Sequence, residues 1–265
     1  MQNIVGQSKL LTAINSYTIQ TLPKSLMFIG PSGCGKHTIA KYIAEKFDFD
    51  YVEIIENVST DDLTEYTYKT INTLYLIDLN KFSEKQQNQF LKFIEEPSKT
   101  VYTVLITNSE ANTLGTIINR CIKYTFESYA KEQIEAITNT SVNDLAFKIF
   151  QTPGKLLNLT EDSFKNIITL AEEVVHKISY MPYTNTLAIS TKINYKDLYN
   201  KIDFNLFFDT IEYLALEDYK INKNDKSLVI FNLTNKFKQY STKQNLIKEM
   251  LMINYLTTLW EAVQV

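Results

Sequence analysis

The chain has 265 residues, of which 45% are hydrophobic and 22% charged, and its formal net charge at pH 7 is -3. This length suits two or three compact units, and no apolar run is long enough to cross a bilayer. The acidic balance argues against a wholly basic nucleic-acid surface, although it leaves room for a local patch that binds phosphates.

Two further features of the composition narrow the class of protein. The two cysteines, Cys34 and Cys121, have no second cysteine or histidine at metal-ligand spacing, which argues against a zinc site or a disulfide framework. The first residues lack the basic start, apolar stretch and cleavage site of a secretory signal, so we expect a cytoplasmic protein. The abundance of Lys, Asn, Ile and Tyr over Arg and Ala is typical of AT-rich coding sequences, as in a low-GC bacterium, a phage or an organelle.

The front of the chain alternates predicted strands with predicted helices. An apolar strand from Ser25 to Ile29 leads into a glycine-rich loop, and a helix is predicted to begin near Lys36 and to run to Phe47. Further elements are predicted as strands at Tyr51–Ile55, Leu74–Ile77 and Val101–Thr107 and as an amphipathic helix at Glu84–Glu95. Such alternation predicts a parallel sheet with helices on both faces.

After about Glu127 the strand signals fade and the pattern predicts helices. These are expected at Lys131–Ile137, Val142–Phe150 and Glu161–Ile178, with several more between Tyr195 and Val263. The chain is therefore predicted to divide into an α/β front and an all-helical back.

The glycine-rich loop matches the pattern G-x-x-x-x-G-K. Its residues are Gly30, Pro31, Ser32, Gly33, Cys34, Gly35 and Lys36. In this pattern glycines let backbone N–H groups surround phosphate oxygens, the lysine reaches the terminal phosphates, and the helix that follows adds its positive end. With His37 and Thr38 on the first helical turn, the loop predicts a nucleoside-triphosphate site.

The residue after the lysine departs from the pattern, because His37 stands where Ser or Thr normally offers a hydroxyl to magnesium. Thr38 follows one position later, and a shift of about 100° around a helix keeps it from the same metal position. Two interpretations stay open: His37 ligates or orients the metal, or it is a polar residue beside the phosphates. Magnesium coordination is weakened in either case.

A second acidic motif ends the strand from Leu74. Asp78 occupies the usual place of the carboxylate that holds magnesium through water, and it is the predicted metal ligand. The next residues are Leu79 and Asn80, where many ATPases have a glutamate as general base. Leucine cannot accept a proton and Asn80 can only orient a water. The sequence therefore favours nucleotide binding and leaves ATP hydrolysis open.

Three stretches together resemble the clamp-loader branch of the AAA+ ATPases, most closely the delta-prime subunits of bacterial DNA polymerase III clamp loaders. They are Ile4–Gln7, Leu22–Phe28 and Asn88–Pro97, the last of which is similar to the family signature N-x-L-L-K-x-L-E-E-P. The resemblance covers about the first 160 residues. It implies an α/β P-loop AAA+ domain followed by an all-helical lid and an all-helical collar, expected at residues 1–127, 128–178 and 179–265.

The resemblance also implies roles for single residues. Asn108 matches the sensor-1 residue near the terminal phosphate, and Arg120 matches the arginine finger that reaches a neighbouring subunit's ATP site, although Asn119 replaces the family serine. Lys155 is the candidate for the sensor-2 basic residue. The alternative for Arg120 is a surface ion pair, and for Lys155 a solvated lysine.

The implied function is that of a clamp-loader subunit that binds ATP and Mg²⁺ and helps place a sliding clamp on primed DNA within a hetero-oligomeric ring. DNA contacts are expected along backbone phosphates. Two alternatives remain: the main ATP-hydrolysing subunit of a reduced system, or an AAA+ module outside clamp loading, such as a helicase loader. The zinc module of bacterial relatives and the catalytic glutamate are missing and the chain is short, traits that suit a phage or otherwise reduced system.

Overall fold

The computed structural model describes residues 4–54, 59–157, 159–194, 202–241 and 247–264. It divides into two compact units: Met1–Ser141 together with Thr152–Gly154, and Val142–Gln151 together with Lys155–Val265. The separate lid and collar boundaries implied by the family resemblance stay a prediction. Among the described residues, no helix combines the length and the apolar character that a bilayer span requires.

The first unit is an α/β unit with a five-stranded parallel sheet. Its strands are β1 (Ser25–Ile29), β2 (Asp50–Ile54), β3 (Thr73–Asp78), β4 (Val101–Thr107) and β5 (Ile122–Thr125), and its helices are α1 (Ser8–Ser16), α2 (Lys36–Phe47), α3 (Thr60–Thr67), α4 (Glu84–Glu95), α5 (Gly115–Ile118) and α6 (Lys131–Thr138). The strand order is β2-β3-β4-β1-β5, with every neighbouring pair parallel.

Burial explains this order. Every residue of β1 and β4 is buried, as expected for central strands that are covered on both faces, whereas β2 and β5 at the edges carry exposed residues. Because β1 pairs in parallel with β4 and with β5, its carboxyl end lies beside the carboxyl end of β4. Proteins with α/β sheets bind their ligands at these carboxyl ends.

The second unit is helical. Its helices are α7 (Asp144–Phe150), α8 (Pro153–Leu156, whose first two residues belong to the first unit), α9 (Glu161–Glu172), α10 (Tyr183–Ala188), α11 (Phe204–Asn222), α12 (Asp225–Ser241) and α13 (Lys248–Gln264), with short strands β6 (Ile193–Asn194) and β7 (Ile202–Asp203). A buried core that includes Phe207, Phe208, Tyr255 and Leu259 joins α11 and α13. Large side chains such as these bury much apolar area, which stabilises the packing of the helices.

The predicted elements of the front are confirmed, although several bounds differ; the strand predicted at Leu74–Ile77, for example, is Thr73–Asp78. The helix Glu84–Glu95 and the strand Val101–Thr107 have the predicted bounds, whereas the strand predicted at Tyr51–Ile55 is Asp50–Ile54 and its last predicted residue, Ile55, lies outside the described residues. The strand Ile122–Thr125 was not predicted, because an exposed edge strand carries no apolar run. In the back, the helix from Glu161 is α-helical only to Glu172 and continues as a π-helical turn, Glu173–Lys177.

Candidate functional site

The predicted phosphate loop connects the buried strand β1 to helix α2. Gly33 and Gly35 have φ angles of 80° and 94°, a left-handed conformation that glycine adopts without steric cost. Left-handed residues between right-handed ones turn successive backbone N–H groups toward one point, where they form a concavity for an anion. Helix α2 begins at Lys36, so its positive end lies at the same place.

Lys36 is held inside this loop. Its side-chain Nζ donates to the carbonyl oxygens of Gly30 at 2.5 Å and Pro31 at 2.9 Å, and the residue is only 6% exposed. Burial lowers the pKa of Lys36, an effect that the nearby Cys34 and Asp78 oppose. A buried ammonium with backbone acceptors is ready to pair with a phosphate that supplies full negative charge.

A chain of polar side chains connects this lysine to the ends of β3 and β4. Lys36 Nζ lies 3.2 Å from the Oδ1 atom of Asn108, and the backbone N–H of Asn108 donates to Asn80 Oδ1 at 2.9 Å. Asn80 in turn donates to Asp78 Oδ1 from its backbone N–H and from its side-chain Nδ2, at 3.1 and 2.7 Å. Four residues from three separate stretches of the sequence therefore meet at the carboxyl ends of the strands.

The metal prediction concerns Asp78, which is half-buried at the end of β3. Mg²⁺ is usually bound by one or two carboxylates together with phosphate oxygens and waters, and Asp78 supplies a carboxylate at the edge of the sheet that carries the phosphate loop. The described residues contain no cluster of three or more His, Cys, Asp or Glu side chains that could hold a metal alone.

His37 and Thr38, on the first turn of α2, are both exposed, and partial desolvation lowers the pKa of His37. This shift favours the neutral form of its ring at pH 7.

Leu79 follows Asp78, at the position where many ATPases have a glutamate as general base. Its side chain is 1% exposed and packs in the sheet core with Ile77, Phe82 and Phe90. The Leu79 side chain therefore contributes to the packing of the core. The polar side chain that contacts Asp78 is that of Asn80. An asparagine orients a water but does not take its proton.

Arg120 follows α5, away from the loop in sequence. Its Nε lies 2.5 Å from Glu95 Oε1, and its Nη1 donates to the Thr116 carbonyl at 2.7 Å. The side chain is 39% exposed. Arg120 is also the sole arginine among the 27 Lys and Arg residues of the chain.

Lys155 lies in the second unit, where it pairs with a buried acid. Its Nζ is 2.8 Å from Asp209 Oδ2, and Asp209 Oδ1 is 2.6 Å from Lys238 Nζ. The Asp209 side chain is 5% exposed. The ion pairs therefore supply the countercharge that a buried carboxylate requires.

Three residues that the sequence did not single out also contact the phosphate loop. Tyr129, Thr152 and Gly154 each donate a hydrogen bond to one of its carbonyl oxygens. Of this part of the chain, only Lys155 was singled out from the sequence. No pattern in the sequence indicated these contacts, because they form between residues that are 95 to 121 positions apart.

Comparison with known proteins adds independent information. The family described as "DNA polymerase III, delta subunit" matches residues 51–130. In sequence, the chain is 23% identical to "ATPase WRNIP1" of Dictyostelium discoideum over 65% of this chain and 20% of that protein. It is 23% identical to "DNA polymerase III subunit gamma" of Buchnera aphidicola over 65% and 56%, and 25% identical to "DNA polymerase III subunit tau" of Escherichia coli over 65% and 32%. The chain thus spans less than two thirds of the length of each.

Two solved structures share the fold. One is a DNA polymerase III gamma subunit-related protein from Thermotoga maritima, with a TM-score of 0.53, 16% identity, and coverage of 97% of this chain and 99% of that chain. The other is a point mutant of Thermotoga maritima RuvB, with a TM-score of 0.50, 14% identity, and coverage of 83% and 78%. At these identities the likeness concerns the fold alone. The family model and two of these relatives are thus described as DNA polymerase III subunits, in line with the resemblance seen in the sequence.

Proposed function

We propose, with the clamp-loader AAA+ family as the premise, that this chain is a nucleotide-binding subunit of a DNA replication clamp loader, closest in role to delta-prime. In this role it binds ATP at the phosphate loop, presents Arg120 to a neighbouring subunit, and helps place a sliding clamp on primed DNA. The matches to DNA polymerase III gamma and tau subunits support the replication role.

The observation that carries the nucleotide site is the polar chain from Lys36 to Asp78. It joins the lysine of the phosphate loop to Asn108, the candidate sensor, and through Asn80 to the candidate magnesium ligand. Lys36 and Asn108 would both contact the terminal phosphate of ATP, and Mg²⁺, when bound, would stabilise its negative charge. Asp78 is the residue proposed to hold that ion.

ATP binding without efficient hydrolysis is the mode that this geometry supports best. Loss of a general base typically slows such a reaction by roughly 100-fold to 10,000-fold. The position next to Asp78 carries no carboxylate, because it is occupied by Leu79, whose side chain is buried in the core. This weighs against the alternative in which the chain is the main ATP-hydrolysing subunit of a reduced loader.

Arg120 is proposed to act on a nucleotide that another subunit binds. A finger has to reach out of its own chain, and the half-exposed guanidinium meets this requirement. Only arginine offers a planar fork of donors that matches phosphate oxygens, so lysine cannot replace it at such a site. The presence of a single arginine in a chain whose other basic residues are all lysine supports a role that lysine does not fill.

Lys155 stays the candidate for the sensor-2 role. Its ammonium would have to exchange Asp209 for a phosphate in order to act there. The remaining parts of the proposal are a cytoplasmic location, a hetero-oligomeric ring, contact with the clamp, and DNA contacts along backbone phosphates that weaken with salt.

The test is reconstitution with the clamp and candidate loader subunits of the same source. We expect the chain to co-purify with those subunits, to bind ATP alone, and to hydrolyse ATP appreciably only in the complex. Salt titration of binding to a primed duplex measures the expected electrostatic contact. Rapid ATP turnover by the isolated chain would instead identify it as the main ATPase.

A second candidate is an AAA+ module outside clamp loading. It is favoured by the similarity to proteins named "ATPase WRNIP1" and "Replication-associated recombination protein A", the latter 25% identical to the chain over 130 residues. Failure to associate with a sliding clamp or any loader subunit, with ATP binding intact, would select this candidate.

A further inference from the structure

The carbonyl groups of the phosphate loop are held from outside the loop, one after another. Ser32 O accepts from Thr152 Oγ1 at 3.0 Å, and Gly33 O accepts from the Gly154 N–H at 2.9 Å. The next carbonyl, that of Cys34, accepts from the phenol of Tyr129 at 2.9 Å. Three consecutive peptide groups thus each have a donor on the same unit of the protein.

This arrangement fixes the direction of the amides. In a trans peptide, the C=O of one residue and the N–H of the next point in opposite directions. Donors that hold the carbonyls of Ser32 and Cys34 therefore turn the N–H groups of Gly33 and Gly35 the other way. These are the two residues with left-handed backbone, which shape the anion concavity.

The donors themselves are firmly placed. Thr152 is 3% exposed and Tyr129 is 8% exposed, and burial raises the pKa of Tyr129, which keeps its phenol protonated as a donor. Gly154 approaches so closely that a Cβ atom there would lie 2.7 Å from Gly33 Cα and 2.9 Å from Gly33 O. Only glycine fits at this position, because any side chain would push the loop away.

We infer that Tyr129, Thr152 and Gly154 are positioning residues that hold the amides of the phosphate loop toward the nucleotide. They act through the loop carbonyls and do not touch the ligand. The inference rests on the proposed nucleotide site. These three hydrogen bonds would keep the loop in its binding conformation when no ligand is present.

The test compares Tyr129→Phe, Thr152→Val and Gly154→Ala with matched controls in the full chain. The controls are Tyr17→Phe, whose phenol bonds to Tyr124, Thr103→Val, whose hydroxyl bonds to Ser25 in the sheet, and Gly115→Ala, where a Cβ meets nothing within 4 Å. Each variant and its control carry the same substitution. The two therefore differ mainly in whether the changed residue contacts the phosphate loop.

The first measurement is hydrogen–deuterium exchange of the loop amides in ligand-free protein. The three variants are expected to exchange faster over residues 30–36 than their controls do. The second is the Kd for ATP with Mg²⁺ by titration calorimetry, below the melting temperature of every variant. Loss of one loop hydrogen bond is expected to raise Kd about threefold to tenfold in Tyr129→Phe and Thr152→Val. A larger rise is expected in Gly154→Ala.

The two readouts separate this inference from the proposed function. Loop exchange that matches the controls in all three variants would overturn the positioning role, whatever the ATP affinity. Variants that lower the melting temperature but leave Kd unchanged would also overturn it, since the residues would then be merely structural. If the wild-type protein bound no ATP while the variants still loosened the loop, the role of these residues in holding the loop would stand, and the proposed ATP site would be wrong.

Discussion

The phosphate loop and Arg120 lie in the same unit but differ in how firmly their side chains are held. The loop is fixed by backbone groups: its lysine is 6% exposed and donates to the loop's own carbonyls. Arg120 is 39% exposed and is held by one ion pair to Glu95 and one bond to a carbonyl. The loop is thus ready to bind within its own chain, whereas the arginine needs little energy to change partner.

The largest expected effect follows from Arg120. Arg120→Ala should lower ATP turnover by the assembled complex about a thousandfold, because a finger stabilises charge that develops on the transferred phosphoryl group. ATP affinity of the isolated chain should not change. Arg120→Lys is the matched control that keeps the charge and removes the fork, and it should be nearly as damaging. Complex turnover equal to wild type in Arg120→Ala would reduce the arginine to a surface ion pair.

Leu79 tests whether the missing base can be restored. Leu79→Glu should destabilise the chain by about 2 to 5 kcal/mol, because it places a carboxylate without a partner in the sheet core. ATP turnover should not rise. Leu79→Met keeps the volume and should cost about 1 kcal/mol or less. Urea unfolding measures both variants, and a stable Leu79→Glu chain with raised turnover would contradict the core role of this residue.

Lys155 separates a structural from a phosphate-sensing role in the second unit. Lys155→Met should destabilise the ligand-free chain by about 1 to 3 kcal/mol, since the buried carboxylate of Asp209 keeps only Lys238. The control is Lys165→Met, whose exposed pair with Glu161 is screened by solvent, so its loss should leave the free energy of unfolding nearly unchanged. Equal stability of the two variants would contradict the ion-pair account. A weaker ATP affinity in Lys155→Met alone would add the sensor-2 role.

Glu95 gives the smallest expected effect. Glu95→Gln should change the free energy of unfolding by only about 0.2 to 1 kcal/mol, because the pair with Arg120 is half-exposed. Glu110→Gln, which loses a similarly exposed pair with Lys123, is the matched control. Complex ATP turnover should be retained in Glu95→Gln, because the arginine leaves this partner in the proposed mechanism. A turnover loss as large as that of Arg120→Ala would show that Glu95 is needed to orient the finger.

Much of the fold was predictable because its strands are buried on both faces. The continuous apolar runs of β1 and β4 stand out in the sequence, and the glycines of the loop mark where β1 must end. Strand β5 has Ile122 and Lys123 exposed at the edge of the sheet, so periodicity did not indicate it. Tertiary pairing with β1 forms this strand, and local sequence does not encode such pairing.

The candidate site could be proposed from the sequence where its residues lie in short motifs, and not where it depends on contacts between distant residues. The loop pattern identified Lys36, and the end of an apolar strand identified Asp78. The direct bond from Asn108 to Asn80 spans 28 residues, and the donors to the loop carbonyls come from residues near 129 and 152. Such hydrogen bonds depend on how the sheet packs against the chain that follows it. A short sequence motif does not predict this packing.

The most direct test of the central claim is ATP binding by the isolated chain. Titration calorimetry with ATP and Mg²⁺ should show one site in the wild type. Lys36→Met should bind about tenfold to a hundredfold more weakly, since it loses charge-assisted bonds to phosphate while keeping the side chain's apolar volume. Equal affinity of the two proteins, or no binding by a folded wild type, would contradict the account.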